Sequence, residues 1–311
     1  MLSEFEFIQN IKKKYSLEKV GDDCAVLPKD DKTDQVITAD LLIQDIDFRL
    51  EWTTPEFLGH KALAVSLSDI AAMGAEPKWA MLSFGVPEKL WNTDFVDGFY
   101  QGWFALANEF NVELVGGDVS RTPNKVVVDS IVGGEVAKGK AILRSGAKIG
   151  DSIYVTGELG GAAAGLSQLE NNNANQSDFI LKQLKPQPQL AVAKLLQICN
   201  VIHSMIDMSD GLSSDLTHIC EASGVGAKIY ANELPINRAI LKQFGAEQGL
   251  DFALNGGEDF ELLFTVDEKK FLPPQSVKIS RIGEITSDVG KIELIRNGKT
   301  KILQPKGYRH F

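Results

Sequence analysis

The stretch Met205-Ile206-Asp207-Met208-Ser209-Asp210-Gly211-Leu212 constrains this chain more than any other. The apolar run from Val201 to Ile206 has the length and composition of a buried strand. Asp207 stands at its end, Asp210 lies in the turn that follows, and Gly211 permits a sharp reversal. A helix then starts near Ser213, with Leu212, Leu216, Ile219 and Cys220 at helical spacing. Two carboxylates this close, at the exit of a buried strand, repel each other. A positive charge is expected between them.

Other pieces are built the same way. Gly21-Asp22-Asp23-Cys24 leads into a short strand. Val36 to Asp40 reads as a strand that ends on an aspartate, and Asp45 and Asp47 alternate with apolar neighbours after it. Glu113 to Asp118 is a third such strand, with Gly116 and Gly117 before its aspartate. Thr53, Thr54 and Pro55 open a long helix, with Glu56 placed for a capping box with Thr53. That helix runs to about Met73 and stops at Gly74. Asp69 is its odd residue, because Val65, Ser66, Ala72 and Met73 make the surrounding face small and apolar. A carboxylate there must be paired or liganded, since an isolated buried charge costs several kcal/mol.

A helix over residues 3–14, a strand from Trp79 to Val86, a helix from Phe95 to Phe110 and a strand from Val126 to Val136 complete the first half. The pattern is α/β with mixed strand pairing. The glycine-rich segment from Lys138 to Asp151 is the best boundary, so two α/β units are expected, at 1–138 and 139–311. The second half opens with a strand from Ser152 to Gly157 and a glycine–alanine run from Gly160 to Gly165. That run matches neither GxGxxG nor GxxxxGK[ST], which leaves close helix packing or phosphate contact open. Asn171 to Gln176 is a polar loop, Gly256-Gly257-Glu258-Asp259 a glycine turn before a strand, and Gly307 to Phe311 an aromatic tail.

A net charge of −10 argues against a nucleic-acid backbone or an anionic membrane as partner. No apolar run approaches the ~18 residues of a membrane span. The acidic N-terminus lacks a signal pattern, and a cytoplasmic protein is expected. Cys24, Cys199 and Cys220 have no zinc spacing. His60, His203, His218 and His310 show no triad spacing, and His60 and His218 read as helix-surface or satisfied residues.

Ligands of open α/β sheets collect at the carboxyl ends of strands. If these ends converge, Asp23, Asp40, Asp69, Asp118, Asp207 and Asp210 surround one crevice. Hard oxygen donors without cysteine or histidine select Mg²⁺, and Mg²⁺ with few protein ligands usually also binds substrate phosphates. Blander readings exist. Asp210 could cap a helix, Asp23 and Asp40 could be turn residues, and Asp215 reads as charge favouring a helix dipole.

Gly21-Asp22-Asp23-Cys24-Ala25, the run Ala64 to Ala75, Gly116-Gly117-Asp118, Arg144-Ser145-Gly146-Ala147, Asp207 to Leu212 and Gly256 to Leu262 together resemble the bacterial thiamine-monophosphate kinases. The resemblance runs from Ser3 to Phe311, and the Gly-Gly-Glu-Asp turn separates it from aminoimidazole ribonucleotide synthetases and selenide water dikinases. It implies ATP-dependent phosphorylation of thiamine monophosphate to thiamine diphosphate, the last step of that cofactor's biosynthesis. It implies Mg²⁺ ligands at Asp23, Thr38, Ala39 (through its backbone), Asp40, Asp69, Asp118, Asp207 and Asp210. ATP contacts are implied at Gly117, Asp118, Arg144 and Ser209, and acceptor contacts at Asp47, Glu258 and Tyr308. It also implies a homodimer whose N-terminal strands share a barrel. Two departures stand out: Asp47 where relatives can carry histidine, and Pro305 where they can carry tryptophan.

The chemistry fits. A phosphate monoester with a second pKa of about 6 is largely dianionic at neutral pH, so no general base is needed. The obstacle is repulsion, about 4 kcal/mol per pair of unit charges at ~4 Å and an effective dielectric of about 20. Several Mg²⁺ ions would offset it, which explains a site rich in aspartate and poor in lysine. Arg144 is the main candidate for a direct cationic phosphate contact. Other readings are a ligase-type relative, which would release free phosphate, and a non-catalytic cation-binding protein, which would bind Mg²⁺ equally well without ATP.

Overall fold

The computed structural model describes residues 4–171 and 177–308. Its first half runs α1 (Glu4–Tyr15), β1 (Ala25–Pro28), β2 (Thr33–Ile43), α2 (Pro55–Ala72), β3 (Glu76–Pro87), the short α3 (Glu88–Trp91), α4 (Phe95–Phe110), β4 (Glu113–Thr122) and β5 (Val127–Ala137). These strands form one sheet in the order β1-β2-β5-β3-β4, in which only β3 and β4 run parallel.

The second half continues with β6 (Ser152–Thr156), α5 (Gly161–Glu170), α6 (Asp178–Leu184), α7 (Leu190–Cys199), β7 (Ile202–Asp207), α8 (Leu212–Ser223), β8 (Gly226–Tyr230) and α9 (Arg238–Asn255). Strands β9 (Leu262–Val266), β10 (Ile279–Thr286), β11 (Ile292–Arg296) and β12 (Lys299–Ile302) complete it. Its sheet has the order β12-β11-β8-β10-β6-β9-β7 and mixes parallel with antiparallel pairs. The mixed α/β architecture expected from the sequence is therefore present. Among the described residues no helix is long and apolar enough to cross a membrane.

Helix α2 is the spine of the molecule. It is apolar almost all round, as a helix covered on every side must be, and Leu63, Leu67 and Ile70 are fully buried. It packs on α4 with backbones nearly touching. A Cβ at Gly59 would lie 1.9 Å from the Phe99 carbonyl oxygen, and one at Gly102 would lie 1.8 Å from that of Glu56. The helix is capped one residue later than expected: Thr54, not Thr53, accepts the Phe57 N–H at 3.2 Å. It stops where expected, with Gly74 at φ 63°.

Two expected strand ends are not ends. Strand β2 continues past Asp40 because its ladder to β5 runs unbroken to Ile43. Strand β4 continues past Asp118 to Thr122, paired with β3 throughout. Of the polar loop, residues 172–176 lie outside the described residues, as do residues 309–311 of the aromatic tail.

Candidate active site

Asp23 lies in the loop before β1, Asp69 stands in the last turn of α2 and Asp207 ends β7. Three elements distant in sequence thus bring three carboxylates together, each offering an oxygen within 4.8 Å of the others. Hydroxyls orient them. Thr38 on β2 donates to Asp69 Oδ2. Two serines of α2 do the same for other strands: Ser66 donates to Asp40 Oδ2 at 2.7 Å and Ser68 to Asp207 Oδ2 at 2.6 Å. Arg144 donates from Nε at 3.0 Å and Nη2 at 2.5 Å to a single oxygen of Asp23. The other oxygen, Oδ2, is buried without a hydrogen-bond partner.

The electrostatics follow from crowding. Burial, and then Asp23, push the Asp207 carboxyl up to about 8. Burial pushes Asp40 to about 6 despite its bond from Ser66, with Asp129 and Asp23 adding to the rise. Asp69 lies well above the usual range through burial and then Asp40, Asp207 and Asp23. Asp22, whose side chain accepts the Arg144 N–H, rises to about 6 through burial and then Asp23. Carboxylates so raised share protons or hold cations. A compact set of oxygen donors with one buried oxygen left over fits a hard divalent cation.

The cluster forms one wall of a cleft of about 1060 Å³. Thr38, Ala39, Asp40, Asp47, Arg144, Ser209, Asp210, Glu258 and Tyr308 all line it, so most of the residues singled out from sequence converge. Two turns that line the cleft are docked backbone to backbone. Glu258 N donates to Ser209 O at 2.8 Å and Phe260 N to Met208 O at 3.0 Å. The glycines are required here, since a Cβ at Gly257 would sit 2.6 Å from Ser209 O. Asp47 spends one oxygen on the N–H of Ile43 at 2.7 Å, which closes its own turn.

Gly117 and Asp118 do not join the cleft within one copy of the chain. Asp118 lies opposite Ser83 on β3, which lies opposite Asp129 on β5, which lies opposite Leu41 on β2. Three strand spacings put it about 14 Å from β2. Both residues are exposed on the edge strand β4, as are Val115 and Val119.

The glycine–alanine run is closed to phosphate by its own chain. Asp259 accepts the N–H groups of Gly160 and Ala162 at the start of α5, so the helix N-terminus already has its anion. Several cleft residues escaped the sequence reading. Lys61 of α2 is buried and ion-paired to Glu258, in a site expected to be poor in lysine. Trp52 lines the cleft beneath Arg49, whose guanidinium lies 4.4 Å from its ring. His218 also lines it, and burial, then Arg144, push its pKa down to about 4. Asp215 stands in the first turn of α8 as expected, but it is 1% exposed and accepts the Gly211 N–H at 2.9 Å. Only the apolar character of α2 could have marked Lys61 in advance, as it marked Asp69.

The fold is that of the AIR synthase related class. Residues 21–143 match the AIR synthase related protein N-terminal domain, and residues 148–294 match the C-terminal domain. The thiamine-monophosphate kinase of Escherichia coli K12 is 40% identical, over 94% of this chain and 91% of that one. That of Bacillus subtilis is 37% identical, over 94% and 93%. The solved structure of AaThiL complexed with AMPPCP and TMP superposes with a TM-score of 0.90 at 32% identity, covering 100% of this chain and 97% of that one. This chain belongs to the thiamine-monophosphate kinase family.

Proposed function

We infer that the protein transfers the γ-phosphate of ATP to thiamine monophosphate, giving thiamine diphosphate and ADP. The observation that carries this is the convergence of Asp23, Asp69 and Asp207 at a cleft lined by Asp23, Asp69, Arg144 and Glu258, in a chain 40% identical to a thiamine-monophosphate kinase. Magnesium bound there would neutralise phosphate charge and polarise the transferring phosphoryl group.

Asp23, Asp69 and Asp207 would hold it, with Asp40, Asp210, Thr38 and the Ala39 backbone near enough along the same walls to share the task. Ser66, Ser68 and Thr38 fix the carboxylates before any ligand arrives, so little reorganisation is left for the reaction. Arg144 would offer its guanidinium to phosphate from its place on Asp23. Ser209 would contact ATP from the turn that Glu258 braces. On the acceptor side Glu258, Asp47 and Tyr308 would contact thiamine, with Trp52 as a second aromatic surface. The acceptor phosphate is already ionised, so no side chain need remove a proton.

We place the division between the two units at 138/139, supported by sheets that lie wholly on either side of it. We also propose a homodimer formed through the N-terminal sheets. The exposed β4 edge supports it, as does a cleft that Gly117 and Asp118 of the same chain do not line. The free cysteines suit a reducing cytoplasm.

Incubation with ATP, Mg²⁺ and thiamine monophosphate should yield ADP and thiamine diphosphate in equal amounts. Release of free phosphate with the acceptor would point to a ligase instead, and Mg²⁺ binding without turnover to a cation-binding protein.

A further inference from the structure

We propose that Lys61 is a positioning residue for the acceptor: it holds Glu258 as a charge-neutralised hydrogen-bond acceptor for the exocyclic amine of the acceptor's pyrimidine ring. This rests on reading the cleft as the site for thiamine monophosphate.

Lys61 lies on α2, eight residues and about 12 Å along the helix from Asp69. Its side chain is 4% exposed, so its ammonium has left water and must be paired. Its partner is Glu258 Oε1, at 2.6 Å. The Lys61 Nζ also reaches the Gln183 carbonyl oxygen at 3.5 Å, and the Gln183 side-chain amide donates to Glu258 Oε2. Both carboxylate oxygens are therefore held from the side of α2 and α6. The side chain of Glu258 stays 28% exposed and lines the cleft. A carboxylate accepts about four hydrogen bonds, so acceptor capacity remains on the open side.

The backbone agrees with a fixed carboxylate. Glu258 sits at φ 67°, a conformation that a non-glycine residue keeps only when its surroundings impose it. Its N–H is tied to Ser209 O, in the turn that carries Asp210. One ion pair thus links the helix that bears Asp69 to the turn that faces the acceptor.

Charge decides what Glu258 recognises. Paired with a buried ammonium it is nearly neutral at a distance, so it attracts a thiazolium cation weakly. What it still offers is directed hydrogen-bond acceptance, which suits a neutral amine. A site built to accept a particular hydrogen bond rejects an analogue lacking that donor far more strongly than a greasy pocket rejects a lost methylene.

The test is steady-state kinetics of the full chain with Mg²⁺ and ATP, using thiamine monophosphate and its analogue with a carbonyl in place of the amine. Lys61→Met should raise the acceptor KM about tenfold or more and lower the preference for the amine by a similar factor, while the ATP KM moves about twofold or less. Lys61→Arg should restore part of both effects. Gln183→Met should shift the same two quantities in the same direction by less, and it decides the matter if Lys61→Met melts early. The proposal is overturned if the acceptor KM and the amine preference stay at wild-type values in Lys61→Met and Gln183→Met. It is also overturned if the loss falls equally on ATP. Failure of the wild type to phosphorylate thiamine monophosphate would instead remove the reading of the cleft.

Discussion

Arg144 grips one oxygen of Asp23 with two nitrogens and leaves the other oxygen buried and unpartnered. The pair is asymmetric by construction. Burial raises the Asp23 carboxyl above the usual carboxylate range and the guanidinium opposes that rise, while Asp69 and Asp207 each bring an oxygen within 4.8 Å of one of its own. Arg144→Met should lower kcat/KM for ATP by about 10- to 150-fold, the range that charge-assisted hydrogen bonds of 1.5–3 kcal/mol allow. Arg144→Lys should recover little, because a point charge cannot reproduce the two-nitrogen grip. Wild-type kcat/KM in Arg144→Met would remove Arg144 from the nucleotide site.

The raised carboxyls make the metal-free protein sensitive to alkali. A group whose folded pKa exceeds its unfolded value contributes stability below the unfolded value and loses it as pH rises through the folded one. From an ordinary 3.8, Asp40 rises to about 6 and Asp207 to about 8, so metal-free stability should fall between about pH 4 and pH 8. Magnesium needs these groups ionised, so its stabilising effect should grow over the same window. At a concentration a hundred times its dissociation constant the gain is about 2.7 kcal/mol. Thermal melts in chelator and in Mg²⁺ at pH 6 and pH 8 read this directly. A magnesium effect that is equal at both pH values, or larger at pH 6, would contradict it.

These shifts show why part of the site was legible in sequence and part was not. Asp69 could be seen because a carboxylate on an apolar helix face conflicts with its local pattern. The turns around Asp23, Asp207 and Glu258 could be seen because glycines and carboxylates punctuate apolar runs there. Which hydroxyl meets which carboxylate could not, because Ser68 and Asp207 lie 139 residues apart and only the folded packing joins them. The glycine–alanine run left two readings open for a similar reason, since the Asp259 that occupies its N–H groups comes from 97 residues further on. Asp40 and Asp118 read as strand ends because each closes an apolar run, and aspartate is depleted in strands. Here continuous pairing with neighbouring strands outweighs that propensity.

Asp215 offers a stability test separate from chemistry. It is buried, accepts the Gly211 N–H, and has its carboxyl raised well above the usual range by burial and then by Asp210 and Asp207. A neutral amide can still accept that N–H, so Asp215→Asn should change unfolding free energy by less than about 1 kcal/mol. Asp215→Ala should cost about 1–3 kcal/mol, because it strands a buried donor in the turn that carries Asp210. Denaturant unfolding of both variants decides it. Equal losses would mean that the N–H bond matters less than the volume of the side chain.

The position of Asp118 makes the sharpest prediction about assembly. It stands on an exposed edge, about three strand spacings from β2, so in the proposed homodimer any cleft it serves is the partner's. Asp118→Asn and Asp207→Asn should each be inactive as pure homodimers. Mixed after reversible dissociation, half the dimers carry one of each chain, and every such dimer has one cleft with both aspartates intact. Activity should return to roughly a quarter of the wild-type value, as expected for a closed two-fold assembly with shared sites. If each chain completes its own site, both aspartates of every cleft come from one polypeptide. Mixing then restores nothing, and the shared cleft would have to be abandoned.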